Sequence, residues 1–432
     1  MTTNPNVGKT AFRPMAICCG LFFILGFITW ANGTLIPFLK IACNLETDLQ
    51  AFFVTFASYI AYFFLALPSS VIIKKIGFQN GLVVSLIILG LGSLIFIPAA
   101  DNRSYGLFLT GIFIQGSGMA LLQTAVNPYL SIIGPIDSAA QRISIAGFFN
   151  KSAGIIVPIL FGTLFLKDAQ KVTAKLEATT DLVQKNAILD NLLQRVHTPY
   201  ISLAIIFVAF AIFLKFTHLP EVDMDAEEES SVESGTVAAK KTSIFQYPHL
   251  FLGALAIFFC VAVEVMAGDI IGVYARELKV DPFFTTYATA FTLSCMLIGY
   301  IIGIISIPRF VSQQMALRIC TIIGITFTVI SVFTTGTTSF IFVALLGIAN
   351  SLMWPAIFPL GIKGLGKFTK TGSAIMIMGI AGGAIWPLIY GLLKDHLHID
   401  FQHAFLYAMV PGYLYIMYFS IAGHKVGKNE LR

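Results

Sequence analysis

Two carboxylates and one lysine stand inside stretches that are otherwise apolar. Glu264 and Asp269 lie in VEVMAGDIIGVY (263–274), and Lys151 lies in FFNKSAGIIVP (148–158). An ionisable group in a hydrocarbon setting is costly, so each is a functional candidate. A carboxyl can take up and release a proton, or hold a hard cation such as sodium. Glu264 and Asp269 are five positions apart, which on a helix means about 140° of rotation and about 7.5 Å of rise. Both can therefore border one cavity, but not at one point. Lys151 can snorkel to headgroups, pair with a carboxylate, or donate to a substrate.

Neutral polar residues collect in similar stretches. Gln123 and Asn127 share a helix face in LLQTAVNPY, and Asn350 and Trp354 have the same i, i+4 relation. Asn150 precedes Lys151, and Asn32 follows Trp30 in TWANGT. Trp30, Trp354 and Trp386 are the three tryptophans of the chain. Amides can tie helices together, and indoles can fill a core or an interface. Together they suit a sugar, because amides bond hydroxyls bidentately and an indole covers the C–H face of a pyranose. An anionic substrate would call for more than one cavity cation, and a greasy drug for fewer amides. No GxSxG, Walker A or HExxH motif occurs, nor any His/Cys cluster at ligand spacing. The reading is a non-enzyme without cofactor or metal, so uphill transport would be driven by an ion gradient.

These groups need elements to hold them. Of 432 residues, 57% are hydrophobic and 11% charged, whereas globular chains carry about 25% charge. Apolar runs of about 20 residues match the length that crosses hydrocarbon, and helices satisfy their own backbone there. The expectation is an all-α integral membrane protein with twelve spans. They fall near 14–38, 50–73, 80–99, 105–130, 143–166, 199–217, 248–274, 284–306, 314–333, 338–361, 372–393 and 402–422. Six cysteines lie almost wholly in such runs, as small hydrophobes. Lysines and arginines gather in alternate loops, among them Lys74, Lys75, Arg142, Lys363 and Lys425. By the positive-inside rule both termini are cytoplasmic. The net charge of +5 thus reports topology rather than a nucleic-acid partner.

Two segments fall outside the spans. Residues 167–197 have helical spacing and predict an amphipathic outer helix or hairpin. Residues 221–243 are acidic, Ser-rich and free of aromatics, as a flexible linker is. The division is 1–217 as an N-terminal six-helix bundle, 218–247 as a cytoplasmic linker and 248–432 as a C-terminal bundle. The halves repeat. Asn127-Pro128 answers to Phe358-Pro359, and Pro158–Gly162 (PILFG) to Pro387–Gly391 (PLIYG). Lys151 then corresponds to Ile380, so a charge there belongs to one half alone. Six plus six with an internal repeat describes parallel halves around a midplane cavity.

Four stretches resemble the fucose/glucose/galactose proton-symporter family of the major facilitator superfamily. They are LLQTAVNPYLSIIGP (121–135), WANGTLIPFLK (30–40), FFNKSAGIIVP, and IFPLGIKGLGKFTKTGSAIMIMGIAGGAIWP (357–387). The resemblance implies two pseudo-symmetric six-helix bundles, alternating access, and a neutral hexose carried with a cation. Fucose transporters of this family carry an Asp just after the span-1 Asn and a Glu just before Thr-Ala in span 4. Here those positions are Gly33 and Gln123, and neither titrates. The branch implied is glucose/galactose or an N-acetylglucosamine type, with coupling moved to span 7. Laid on span 7 by the shared Phe-Phe pair (22–23 on 258–259), Gly33 falls on Asp269, and with the offset of the other repeats it falls beside Glu264.

The expectation is an inner-membrane sugar–proton symporter that works as a monomer in the lipid bilayer. Glu264 is the first candidate for the coupling carboxylate and Asp269 the second. Asn32, Gln123, Asn127, Asn150, Lys151 and Asn350 are expected to meet the sugar, with Trp30, Trp354 or Trp386 stacking on it. Sodium coupling is the runner-up, followed by a non-transporting sugar sensor and a drug exporter.

Overall fold

A computed structural model describes residues 7–133, 138–166, 169–217 and 242–427. The acidic linker, up to residue 241, lies outside the described residues. Twelve helical stretches are long and apolar enough to cross a membrane. Spans 1–6 are Arg13–Ala42, Asp48–Ile76, Phe78–Asp101, Tyr105–Ser131, Ala139–Phe165 and His197–Phe216. Spans 7–12 are Pro248–Gly268, Ala288–Ser306, Gln313–Val332, Gly336–Ile362, Gly366–His396 and Phe401–Ile421. Among the described residues no strand occurs.

The helices form where the apolar runs predict them, and capping residues mark several starts. Ser104 and Ser312 accept from the backbone N–H three residues on, at the heads of spans 4 and 9. Pro248 opens span 7 at a position where no helical N–H is missed. Apolar side chains also cover the outside, for example Ile205, Ile206, Phe213 and Phe216 of span 6. Such a surface fits lipid, not water.

Packing divides the spans into two bundles. Span 3 lies on spans 4 and 6, span 2 on span 4, and span 1 on span 5. In the second half span 8 lies on span 10, span 9 on spans 10 and 12, and span 7 on spans 10, 11 and 12. The bundles meet where span 5 crosses span 8 and where span 11 crosses spans 2 and 4. Inner and outer sides are named here from the lysine–arginine asymmetry.

Several spans depart from the continuous helices read in the sequence: span 10 turns at Leu352, span 11 passes through a 3-10 segment at Gly379–Ala381, and spans 1 and 7 break beside the charged residues. Span 1 is broken between helices Val7–Thr29 and Asn32–Ala42, so Trp30 and Ala31 form a turn. Span 7 stops at Gly268 and resumes as Ile271–Glu277, so Asp269 and Ile270 form a second turn. On the outer side, residues 169–197 contain helices Ala169–Ala178 and Leu182–Gln194. Arg103 fastens the second of these by donating to Asp190 Oδ1 at 2.5 Å and Asn186 Oδ1 at 2.7 Å.

Candidate functional site

Between the bundles lies a cavity of about 70 Å³, to which both halves contribute side chains. From the first half come Trp30, Tyr59, Tyr62, Gln123, Asn150 and Lys151; from the second come Glu264, Tyr300, Trp354 and Ile380.

Span 5 is continuous here and aims Lys151 across the cavity at span 7. Its ammonium donates to Glu264 Oε1, so the two halves are joined by a buried ion pair. The side chains are only 7% and 12% exposed. The same Nζ lies 4.1 Å above the Trp30 ring, where an indole face attracts a cation. Trp30 reaches this place because of the break in span 1. Its Nε1 donates to Asn150 Oδ1 at 3.1 Å, and Asn150 Nδ2 donates to the Phe22 carbonyl at 3.2 Å. Trp30, Asn150, Lys151 and Glu264 therefore form one connected unit.

The other wall is hydroxyl-rich. Gln123 Nε2 donates to Tyr62 Oη at 2.9 Å, and Tyr59 and Tyr62 lie with rings stacked at 6.5 Å between centroids. Trp354 closes the second half, stacked on Phe358. Amide, phenol and indole groups around one charged pair can bond hydroxyls and cover an apolar ring face. That is a chemistry of reversible binding.

The remaining candidates sit elsewhere. Asn127 lies one turn from Gln123 but donates to the Gln123 carbonyl of its own helix, fully buried and outside the cavity lining. Asn350 ties spans 7 and 12 to span 10, donating to the Val263 carbonyl at 3.2 Å and accepting from Tyr413 at 2.8 Å. Trp386 packs on Phe258 and Phe259, and its Nε1 donates to the Ala408 carbonyl. Asn32 is buried beyond the lining, with its Nδ2 unbonded. Asp269 lies at the outer break of span 7 and lines a different, outer cavity. A Cβ added at Gly33 would stand 3.4 Å from Asp269 Oδ1, so the two positions matched by the Phe-Phe alignment also meet in space.

Tyr59, Tyr62 and Tyr300 line the cavity without having been singled out in the sequence. Their mid-span position was the available signal. Tyrosine is common at membrane interfaces, and its type alone does not distinguish a cavity from an edge.

The Major Facilitator Superfamily model matches residues 18–391. A glucose/galactose transporter of Brucella abortus biovar 1 (strain 9-941) is 35% identical over 94% of this chain and 92% of its own length. An L-fucose-proton symporter of Escherichia coli (strain K12) is 31% identical over 88% of this chain and 87% of its own. A crystal structure of the Escherichia coli fucose:proton symporter aligns with a TM-score of 0.75 at 28% identity, covering 95% of this chain and 98% of that one.

Proposed function

Because this chain belongs to the Major Facilitator Superfamily, we propose that it imports a neutral hexose by proton symport through alternating access. Glucose, galactose or a related amino sugar is the substrate class, in keeping with the relatives' names. The proposed setting is the cell inner membrane, with the protein working as a monomer and both termini cytoplasmic. Residues 1–217 and 248–432 move as the two bundles, joined by the linker 218–247.

The observation that carries this reading is the buried Lys151–Glu264 pair, which crosses the two halves beside Trp30 in the shared cavity. While both groups are charged they hold the cavity shut. A proton on Glu264 removes its charge and releases the lysine. Gln123, Asn150 and the tyrosine hydroxyls then bond sugar hydroxyls as the cavity widens, and Trp30 and Trp354 cover the ring. Lys151, freed of its partner, donates to the sugar. The halves rock while the site stays between them.

The test is uptake of labelled glucose, galactose, fucose and N-acetylglucosamine into proteoliposomes under imposed pH or sodium gradients. Wild-type protein accumulates one of these under an acid-outside gradient. Glu264→Gln loses that accumulation and retains counterflow exchange, because the amide mimics the protonated state. Normal uphill uptake in Glu264→Gln removes the coupling role. Accumulation that follows sodium at fixed pH replaces the proton with sodium.

A further inference from the structure

The outer half of the molecule holds a second cavity, about 720 Å³, between spans 1, 7 and 8 and the outer helix Ala169–Ala178. Lys40, Lys171, Glu177 and Arg276 stand in its walls, and Gly33, Asp269 and Thr289 meet at its inner end. Asp269 is only 1% exposed, yet it borders this space. Its Oδ1 has no side-chain hydrogen-bond partner, and of the backbone only the Gly33 N–H faces the carboxylate. The neighbouring Thr289 hydroxyl does not supply one, because it donates to the Gly268 carbonyl at 2.7 Å. Burying a carboxylate so poorly bonded is costly, and a protonated carboxyl in the same place costs far less. Oδ2 accepts from Tyr59 Oη at 3.5 Å. Tyr59 in turn lines the central cavity together with Lys151 and Glu264. The aspartate thus borders the outer cavity and, through Oδ2, touches a residue that lines the central one.

We propose that Asp269 is the outward-facing proton-loading site, fed through the outer cavity and connected to Glu264 by the Tyr59 hydroxyl. This deepens the symport reading and rests on it. An external hydronium protonates the Asp269 carboxylate and leaves as water. Asp269 then gives its proton to the Tyr59 oxygen, and Tyr59 passes its own phenolic proton to a water in the central cavity, which hands one of its protons to Glu264. Asp269 ends as a carboxylate, Tyr59 is unchanged, and Glu264 is neutral and lets go of Lys151. The groups that act on Asp269 are Lys151 of span 5, Glu264 of span 7, the Tyr59 hydroxyl of span 2 and the Gly33 backbone of span 1, while Lys40, Arg276, Lys171 and Glu177 stand elsewhere in the walls of the outer cavity. That helix gains a role as one wall of the proton's entrance.

Two experiments on the full chain decide the matter. In proteoliposomes, Asp269→Asn is expected to lose accumulation driven by an acid exterior while still exchanging labelled sugar by counterflow, and Asp269→Glu to recover part of the accumulation. In sealed right-side-out vesicles, Asp269→Cys in a Cys43→Ser background is expected to react with a membrane-impermeant methanethiosulfonate added outside. Full accumulation in Asp269→Asn overturns the inference. So does loss of counterflow in both Asp269→Asn and Asp269→Glu, which makes Asp269 a structural or sugar-binding group. Labelling of the cysteine only from the inner side overturns it as well. Wild-type protein that fails to accumulate sugar under the pH gradient removes the symport reading itself, and the inference with it.

Discussion

Lys151 and Glu264 hold the two bundles together through one contact, and that contact has an asymmetric energetics. Removing one partner leaves the other charged and buried, which costs about 3–5 kcal/mol, whereas replacing both with uncharged groups is often close to neutral. Lys151→Ala is therefore expected to lower the thermal unfolding temperature in detergent markedly. Lys151→Met combined with Glu264→Gln is expected to recover most of it. Equal losses in the single and double variants would mean the pair contributes only through packing. The charges themselves were readable in the sequence, because a lysine and a glutamate inside apolar runs stand out. Their pairing was not, since they are 113 residues apart and no spacing rule connects spans 5 and 7. The amides show the same limit from the other side. Gln123 and Asn150 reach the cavity, while Asn127 turns back to its own helix and Asn350 braces spans 7 and 12. All four carry a side-chain amide. What separates them is depth along the helix, as for Gln123 and Asn127 one turn apart on one face, and the rotation of each helix in the bundle, both set by packing with distant segments.

The elements place these side chains by breaking where the chemistry is. In span 1 the turn at Trp30–Ala31 comes before Pro37, so no proline in the first helix's last turn explains it. In span 7 no proline lies inside the helix that ends at Gly268. Both breaks instead occur where small residues let another chain come close. Gly154 of span 5 faces the Trp30 ring, and a Cβ there would stand 2.5 Å from Trp30 Cδ1 and 2.6 Å from Leu293 Cδ1. Neither neighbour is free to retreat, because Trp30 is bonded to Asn150 and Leu293 is fully buried. Gly154→Ala is expected to cost about 1–3 kcal/mol as overpacking and to displace the indole from beneath Lys151. Thermal unfolding measures the first effect, and a changed tryptophan emission with weaker sugar quenching measures the second. A variant with wild-type stability and emission would show that the ring has room to move. Span number, approximate boundaries and the Pro-Gly repeat were legible because hydrophobic length and register are local properties. The breaks were not, because an apolar run reads as one helix until a neighbour demands otherwise.

At the scale of the whole molecule, the outer faces of the bundles are joined by a charged cluster. Asp48, 4% exposed, opens span 2 and accepts from Arg276 at 2.7 and 2.8 Å and from Lys394 at 2.6 Å, both from the second half. Lys40 of the first half is paired with the same carboxylate. Lys394 also meets Glu277 at 3.0 Å, and the Leu49 N–H donates to Asp395 at 3.0 Å. Spans 1 and 2 are thereby tied to spans 7 and 11 at the outer end, while the midplane pair ties span 5 to span 7. On the inner side, Gln141 donates to the Ile304 carbonyl at 2.8 Å, linking spans 5 and 8 through a neutral contact. An equilibrium between outward- and inward-facing states shifts only by the differential free energy of contacts made in one of them. Asp48→Asn removes the one carboxylate that three cations share, leaving Lys40 and Arg276 facing each other across the outer interface without it, while Lys394 keeps Glu277 and Asp395. Each loss of about 1.4 kcal/mol changes the ratio of the states tenfold. The variant is expected to populate the outward-open state, seen as a longer distance distribution between spin labels at Asn102 and Lys279, both at the exposed outer surface. Because Asp48 is buried, added salt should shift the wild-type distribution little. Unchanged distances in Asp48→Asn would mean that the crossings of spans 5 on 8 and 2 on 11 close the outer side without help from charge.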